Sequence, residues 1–335
     1  MTVVLPEVIR AIASAYIDAG VKVVLLPMRK LIWPMKSIIT FLNLFRSKRY
    51  DIVHVHSQEA GVIARCLSWL GRAQKRFYTP QTIDIRQSHW HSLYIILECM
   101  LALISTRIFS VNQADAKRMI KWGIPTKKVT VIPNGIELSQ YKNLEDRETI
   151  CRRLGLNPDN PVVMQLGRIS HQKNPDMFLS GAIHILSVNT EVQLVWIGEG
   201  PLFTQVQSRV ESLRLQDKIH LLGRIDQAYH CLVAADVVTS TSRWEGMPYS
   251  ILEAMACSKP VVSPAVNGCP EIVINGQTGY LVEVGDSIGW ANSILYLIAN
   301  PQQAQLMGSR GRRLVEEKYS LPMMVSQIEH AYINS

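Results

Sequence analysis

The sequence predicts an α/β protein made of two doubly wound domains, and three observations carry that prediction. The chain has 335 residues, 47% of them hydrophobic and 19% charged, which is globular composition and more length than one core usually serves. Short β-branched runs alternate with helix-length amphipathic stretches throughout, the pattern of parallel sheets with crossover helices. A polar segment, 134–160, carries the turn pairs Asn134-Gly135 and Asn157-Pro158 and divides the alternation into two series.

In the first series a helix is expected over 8–19 and strands over 21–27, 51–57, 76–82, 107–112 and 128–133, with helices in the gaps. In the second, strands are expected over 161–167, 192–198, 219–223, 236–240, 260–263 and 279–284. This gives Rossmann-like domains over 1–150 and 151–335. Open parallel sheets bind ligands beyond the carboxyl ends of their strands, so two such sheets facing one cleft would place substrates there.

Composition excludes several classes. Six cysteines are scattered without a CxxC pair or a histidine at metal spacing, which argues against a disulfide framework or zinc site and fits a reduced, cytoplasmic interior. Residues 1–10 lack a basic region followed by an apolar core, so no secretory signal is expected. The longest apolar stretch, 93–108, is interrupted by Glu98 and falls short of a bilayer span; it reads as a buried helix. Residues 1–150 hold 21 Lys/Arg against 11 Asp/Glu and residues 151–335 hold 14 against 16, so the net charge of +8 is split as +10 and −2. The basic half either faces something anionic or is simply solvated. Nucleic-acid binding has only this charge behind it and no recognisable module.

The chemistry gathers at the ends of the second-half strands. Glu245 follows the strand 236–240, and Gly246, Met247 and Pro248 open a helix expected over Tyr249–Ala256 that carries Glu253 one turn in. A helix N-terminus there offers free N–H groups to a pyrophosphate. Glu253 could then reach ribose hydroxyls and Glu245 sugar hydroxyls, although an acid near a helix start with a solvated partner is the plainer reading. Arg168 and Lys173, after the strand 161–167, suit the charge on a departing diphosphate, Arg as a clamp and Lys as a point charge. Gly198 and Glu199 form a turn that lets backbone approach a ligand, and Gly223-Arg224 repeats it after the next strand.

In combination these elements resemble family 4 of the glycosyltransferases, the retaining group 1 enzymes with the GT-B fold. Over 161–285 the match runs element by element: Gly167-Arg168 then Lys173-Asn174, Gly198-Glu199-Gly200-Pro201, His220 to Arg224, Glu245 to Glu253, Pro260-Val261-Val262, Glu271 and Asn275 to Gly279. The resemblance implies that Arg168 and Lys173 hold the donor's diphosphate, Glu253 the ribose and Glu245 the transferred sugar, with Arg224 and Ile225 beside the nucleobase. It implies a hexosyltransferase-type reaction with retention, with neither a metal nor another cofactor.

The first half resembles the acceptor domain of bacterial surface-polysaccharide members, through Asp51 to Ser57, Tyr78-Thr79-Pro80 and Ser110 to Asp115. His54 and His56 share one sheet face, as substrate contacts or as structural histidines. Where relatives read Thr-Pro-His, this chain has Gln81, which cannot take up a proton near neutral pH; His89 or His91 stand nearby. Relatives open with a strand and a glycine-rich loop, and here both are expected to be missing, as if the first domain were N-terminally truncated. The basic, apolar stretch 28–49 reads either as a surface that lies on an anionic membrane or as a core-facing helix with a basic rim; the lipid-linked acceptors of relatives favour the first, at the inner face of the cytoplasmic membrane.

The sequence thus predicts transfer from a nucleotide sugar to a saccharide acceptor, lipid-linked by analogy, in surface-polysaccharide or lipopolysaccharide assembly. A second reading is a catalytically weak nucleotide-sugar-binding relative acting as a partner or scaffold, supported by Gln81 and the absent glycine loop. A GT-B epimerase fits the Glu245 to Glu253 context less well.

Overall fold

The computed structural model describes all residues except 7–12, 28–33, 57 and 84–90. The chain parts into two compact units: Met1–Val111, Asp115–Ile132 and Glu329–Ser335 form the first, and Asn112–Ala114 with Pro133–Ile328 the second. Contacts therefore group residues 133–150 with the second unit.

Unit 1 contains strands β1 (Thr2–Pro6), β2 (Lys22–Leu26), β3 (Ile52–His56), β4 (Lys75–Thr79), β5 (Arg107–Ser110) and β6 (Val129–Val131). All pair in parallel, β1 with β2 and the rest in the order β3-β4-β5-β6. Helices α1 (Ala13–Asp18), α2 (Met35–Ser47), α3 (Gln58–Leu70), α4 (His91–Ile104) and α5 (Gln113–Lys121) follow the strands in turn. The expectation of a missing first strand is corrected: Thr2–Pro6 pairs along its whole length with β2, Leu5 being buried. The residues after it contain no glycine before Gly20. The reading of 93–108 as a buried helix is also corrected. α4 buries Glu98, Leu101 and Ala102 but exposes Leu93, Ile96, Met100 and Leu103. Of the stretch 28–49, residues 28–33 and with them Trp33 lie outside the described part; α2 turns Phe41 into the core and Met35 and Ile39 outward.

Unit 2 has strands β7 (Val162–Leu166), β8 (Gln193–Ile197), β9 (Ile219–Leu221), β10 (Val237–Thr239), β11 (Val261–Pro264) and β12 (Gly279–Val282) in one parallel sheet ordered β12-β11-β10-β7-β8-β9. Its helices are α6 (Arg147–Leu154), α7 (Pro175–Val188), α8 (Phe203–Ser212), α9 (Tyr249–Ala256), α10 (Cys269–Ile272), α11 (Ser287–Ala299), α12 (Pro301–Lys318) and α13 (Leu321–Ile333); the last residues of α13 belong to unit 1. β7 and β8 are buried at every position, as expected of central parallel strands covered on both faces. Between sheet and helices, Phe178 packs against Trp196 and Trp290, with ring centroids 4.9 and 6.0 Å away. Trp290 donates its indole N–H to Thr239 Oγ1.

α6 falls inside the polar segment that reads as a break. It starts because the Asp146 side chain accepts from the Thr149 amide at 2.9 Å, and it stops at Gly155 in the left-handed region. Its first residue, Arg147, donates to Asp236 and to the carbonyls of Pro158, Asn160 and Ala234. That fork fastens the amino-terminal edge of the sheet, opposite the end that bears the candidate chemistry.

Candidate active site

The unit 2 sheet order reverses at β7: the chain proceeds outward to β8 and β9 on one side, then returns to place β10, β11 and β12 on the other. Helices on either side of such a switch point diverge, which leaves a crevice at the carboxyl ends of the two strands. The segments that leave β7 and β10 therefore line it.

After β7 come Gly167 and Arg168, then a short 3-10 turn (His171–Lys173) and Asn174, a left-handed residue ahead of α7. After β10 come Ser240, Thr241 and Ser242, then Glu245 and the start of α9. The two segments are joined through Lys173 and Glu245, Nζ to Oε1 at 2.6 Å, their side chains 16% and 9% exposed. Ser242 Oγ donates to the same Oε1 at 2.6 Å, and Gln172 Nε2 donates to the Trp244 carbonyl at 3.0 Å. Thr241 Oγ1 holds the Lys173 carbonyl at 2.6 Å. Glu245 is thus a buried counter-ion that fixes the position of Lys173. Ser242, Gln172 and Thr241 complete this arrangement and are not legible in the sequence, because nothing local marks a serine or glutamine as the partner of an acid 3 or 73 positions away.

Arg168, in contrast, is exposed, and among the described residues it makes no hydrogen bond or ion pair. A guanidinium held at a strand end without a partner is free to clamp an anion.

Gly198 has φ +144°, and a Cβ built on it would lie 2.2 Å from the Gly167 carbonyl oxygen. The two strand ends can approach only because that position lacks a side chain. Gly198 N donates to the Gly223 carbonyl at 2.7 Å, and Ile169 N to the Glu199 carbonyl at 2.9 Å. The Glu199 side chain is exposed. Arg224 is exposed too, 3.2 Å from Asp226, a pairing that contributes little in water; Ile225 beside it is half-buried.

The loop into α9 is fixed by backbone contacts. Gly246 O accepts from Asn112 Nδ2 at 3.0 Å and from Gly268 N at 3.1 Å, and Met247 O accepts from Asn134 Nδ2 at 2.9 Å. Met247 and Pro248 are buried, and Pro248 precedes the first helical residue. Ile251 N and Leu252 N already donate to the Pro248 carbonyl, whereas the Tyr249 and Ser250 amides that lead α9 make no backbone hydrogen bond among the described residues. Glu253, one turn in, is half-buried, and among the described residues its carboxylate has no hydrogen-bond partner. Burial raises its pKa above the usual carboxylate value. A desolvated acceptor without a donor suits a ligand that brings hydroxyls. Glu271 Oε1 accepts from the Gln113 amide at 2.7 Å, next to Asn112.

On unit 1, His54 bridges two side chains, its Nδ1 2.6 Å from the Tyr332 hydroxyl and its Nε2 2.8 Å from Thr79 Oγ1. Burial first, and then neighbouring His56, hold its imidazole well below the usual histidine range. His56 is exposed, its ring centroid 4.1 Å from that of His54 and tilted 32° to it. Gln81, two residues beyond β4, is half-buried in the left-handed region at φ +67°. His89 and the His91 side chain lie outside the described residues.

A family model of the glycosyl transferases group 1 matches residues 146–314. The chain belongs to that family. A second model, glycosyltransferase family 4, matches residues 1–140. Among curated relatives, this glycosyltransferase is 27% identical over 331 residues to an Escherichia coli UDP-Gal:alpha-D-GlcNAc-diphosphoundecaprenol alpha-1,3-galactosyltransferase, covering 95% of this chain and 85% of that one. It is 24% identical to the capsular polysaccharide biosynthesis glycosyltransferase CapM of Staphylococcus aureus, covering 89% and 80%. Among solved structures, Anabaena HepE in complex with UDP and glucose superposes with a TM-score of 0.85 at 21% identity, over 96% of this chain and 89% of that one. The glycosyltransferase therefore has the GT-B fold. Among its described residues, no helix is long and apolar enough to cross a membrane and no three His, Cys, Asp or Glu residues converge as a metal site would require.

Proposed function

We propose that the protein moves a sugar from a nucleotide-sugar donor, with retention at the anomeric carbon, to a lipid-linked saccharide in the assembly of bacterial surface polysaccharide or lipopolysaccharide. The observation that carries this reading is the pairing, across the switch point, of two cations after β7 with a helix N-terminus and an unpartnered carboxylate after β10. The donor's diphosphate sits between Arg168, Lys173 and the head of α9, and Glu253 accepts from the ribose hydroxyls. Gly198 and Glu199 line the approach, and Arg224 and Ile225 flank the base. Gly246, Met247 and Pro248 present the backbone beside the sugar.

As the bond from the anomeric carbon to the diphosphate breaks, charge grows on the phosphate oxygen, and the two cations with the helix dipole stabilise it more than they stabilise the ground state. The acceptor hydroxyl adds to the same face of the oxocarbenium-like carbon, and its proton can pass to the departing phosphate oxygen. No metal or other cofactor is required in this scheme. Glu245 serves by holding Lys173 in place and by offering its second oxygen to the sugar. His56 and Gln81, at the ends of adjacent strands β3 and β4, are the unit 1 candidates for acceptor contact. Peripheral attachment to the cytoplasmic face of the membrane fits a lipid-linked acceptor, and the E. coli relative's name specifies such an acceptor.

The test is incubation with UDP, GDP and ADP sugars and a lipid extract, followed by NMR of the new linkage. Transfer with the donor's anomeric configuration is expected; an inverted product, or nucleotide binding without transfer to any lipid, would overturn the reading in favour of inversion or of a non-catalytic binder.

A further inference from the structure

Helix α4 is inverted relative to an ordinary surface helix. Its sequence, His-Ser-Leu-Tyr-Ile-Ile-Leu-Glu-Cys-Met-Leu-Ala-Leu-Ile, contains one acidic residue, and that residue points inward. Glu98 is 4% exposed and accepts from Arg65 Nη2 at 2.7 Å, Arg65 being 1% exposed. The side chains facing out are apolar: Leu93 at 56%, Ile96 at 56%, Met100 at 61% and Leu103 at 71% exposed. Their spacing of three, four and three residues aligns them as one stripe along the helix. On α3, which packs beside α4, Trp69 and Leu70 are also exposed. Isolated exposed hydrophobics are ordinary, but a continuous stripe on a helix whose charge is buried marks a contact surface.

Charge selects the occupant. Unit 1 carries 19 Lys/Arg against 8 Asp/Glu, a net +11, whereas unit 2 carries 16 against 19, a net −3. Several of these cations flank α4. Lys128 caps its carboxyl end through the Ala102, Leu103 and Ser105 carbonyls, Lys127 adjoins it, and Lys121 lies in the segment that meets α4 where Cys99 Sγ donates to the Trp122 carbonyl. A second copy of the chain would bring one strongly basic face against another. Six exposed apolar side chains also fall well short of the roughly 20–30 residues a side of a stable protein interface. At 14 residues the helix spans about 21 Å, less than the ~30 Å of a bilayer's hydrocarbon core, so it can lie on a membrane but not cross it.

We infer that the outward face of α4, rimmed by the basic residues of unit 1, is the surface by which this glycosyltransferase docks on an anionic lipid bilayer. Leu93, Ile96, Met100 and Leu103 enter the boundary between headgroups and acyl chains, Trp69 sits at headgroup level, and the exposed Lys121 and Lys127 meet lipid phosphates. The inference rests on the proposal that the enzyme works at a membrane, and it locates the contact on α4 instead of within 28–49.

The experiment is flotation of the full chain with vesicles of phosphatidylcholine alone or enriched in phosphatidylglycerol. It compares wild type with Ile96→Glu/Met100→Glu and with the uncharged Ile96→Ser/Met100→Ser, with binding of UDP, GDP and ADP measured on every sample. Wild type is expected to float with the phosphatidylglycerol vesicles, and both variants to lose roughly tenfold or more of that partition while binding nucleotide as before. Wild type that stays below both vesicle types overturns the inference, as do variants that float like wild type. A lipid-free wild-type dimer that the variants convert to monomer overturns it in favour of a second copy. Loss of flotation with nucleotide binding intact concerns this surface alone, whereas absence of binding of UDP, GDP and ADP alike in wild type removes the donor reading and leaves the flotation result standing.

Discussion

Replacing Lys173 by Met removes one half of a buried pair and leaves Glu245 charged. The two charges are 2.6 Å apart, with side chains 16% and 9% exposed, so solvent can replace little of the lost attraction. Removing one partner of a buried ion pair costs about 3–5 kcal/mol. Ser242 Oγ, 2.6 Å from the same carboxylate oxygen, remains as a donor and lowers that figure to about 2–3 kcal/mol. In a unit near 200 residues, 1 kcal/mol corresponds to about 2–4 °C, so the melting midpoint of unit 2 should fall by about 5–10 °C. Removing both charges in Lys173→Met/Glu245→Leu leaves no buried charge unpaired, and most of the loss should be recovered. Urea unfolding of the wild type, both single variants and the double variant gives the coupling energy. A coupling below about 0.5 kcal/mol, which is what independent sites show, would refute the picture of Glu245 as the counter-ion that sets Lys173.

Two further perturbations probe other parts. Gly198→Ala places a methyl 2.2 Å from the Gly167 oxygen at φ +144°; about 2–4 kcal/mol of stability should be lost and UDP binding weakened, and an unchanged melting curve would contradict the close approach of the strand ends. His54 has a pKa depressed first by burial and then by neighbouring His56, so the unfolded chain binds a proton there that the folded chain does not. Its contribution is present above the unfolded value, about 6.5, and is lost as pH falls through the depressed folded value. Thermal melts from neutral pH downward should show that loss, and His54→Gln should reduce it; an identical pH slope in the variant would contradict the assignment.

The parallel strands of unit 2 are legible in the sequence because central buried strands are nearly continuous apolar runs: Val162–Leu166 and Gln193–Ile197, each with a single glutamine, can bury every residue only between two helical layers. Glu245, Glu253, Arg168 and Lys173 are legible as candidates because each follows a strand end. The side chains that tie them together are not, since Ser242, Gln172, Asn112 and Asn134 act through tertiary contacts that no local pattern marks. For want of glycines after it, β1 reads as absent, yet Thr2–Pro6 needs only β2 beside it to form a strand. Helix α4 reads as buried because hydropathy reports how apolar a helix is and not which face meets the core. Glu98 reveals the orientation only once its partner Arg65, 33 residues away, is known.

If the crevice after β7 and β10 seats a nucleoside diphosphate, its cations and its carboxylate must matter to nucleotide affinity. Calorimetric titration of UDP, GDP and ADP into wild type, Arg168→Ala and Glu253→Gln tests this most directly, because Arg168 is exposed and unpaired among the described residues and its removal should leave stability intact. One of the nucleotides should bind wild type, and loss of a charge-assisted contact should weaken it by roughly 10–100-fold in Arg168→Ala, with a loss in Glu253→Gln as well. Binding of equal strength in wild type and both variants would contradict the assignment of the crevice as the donor site.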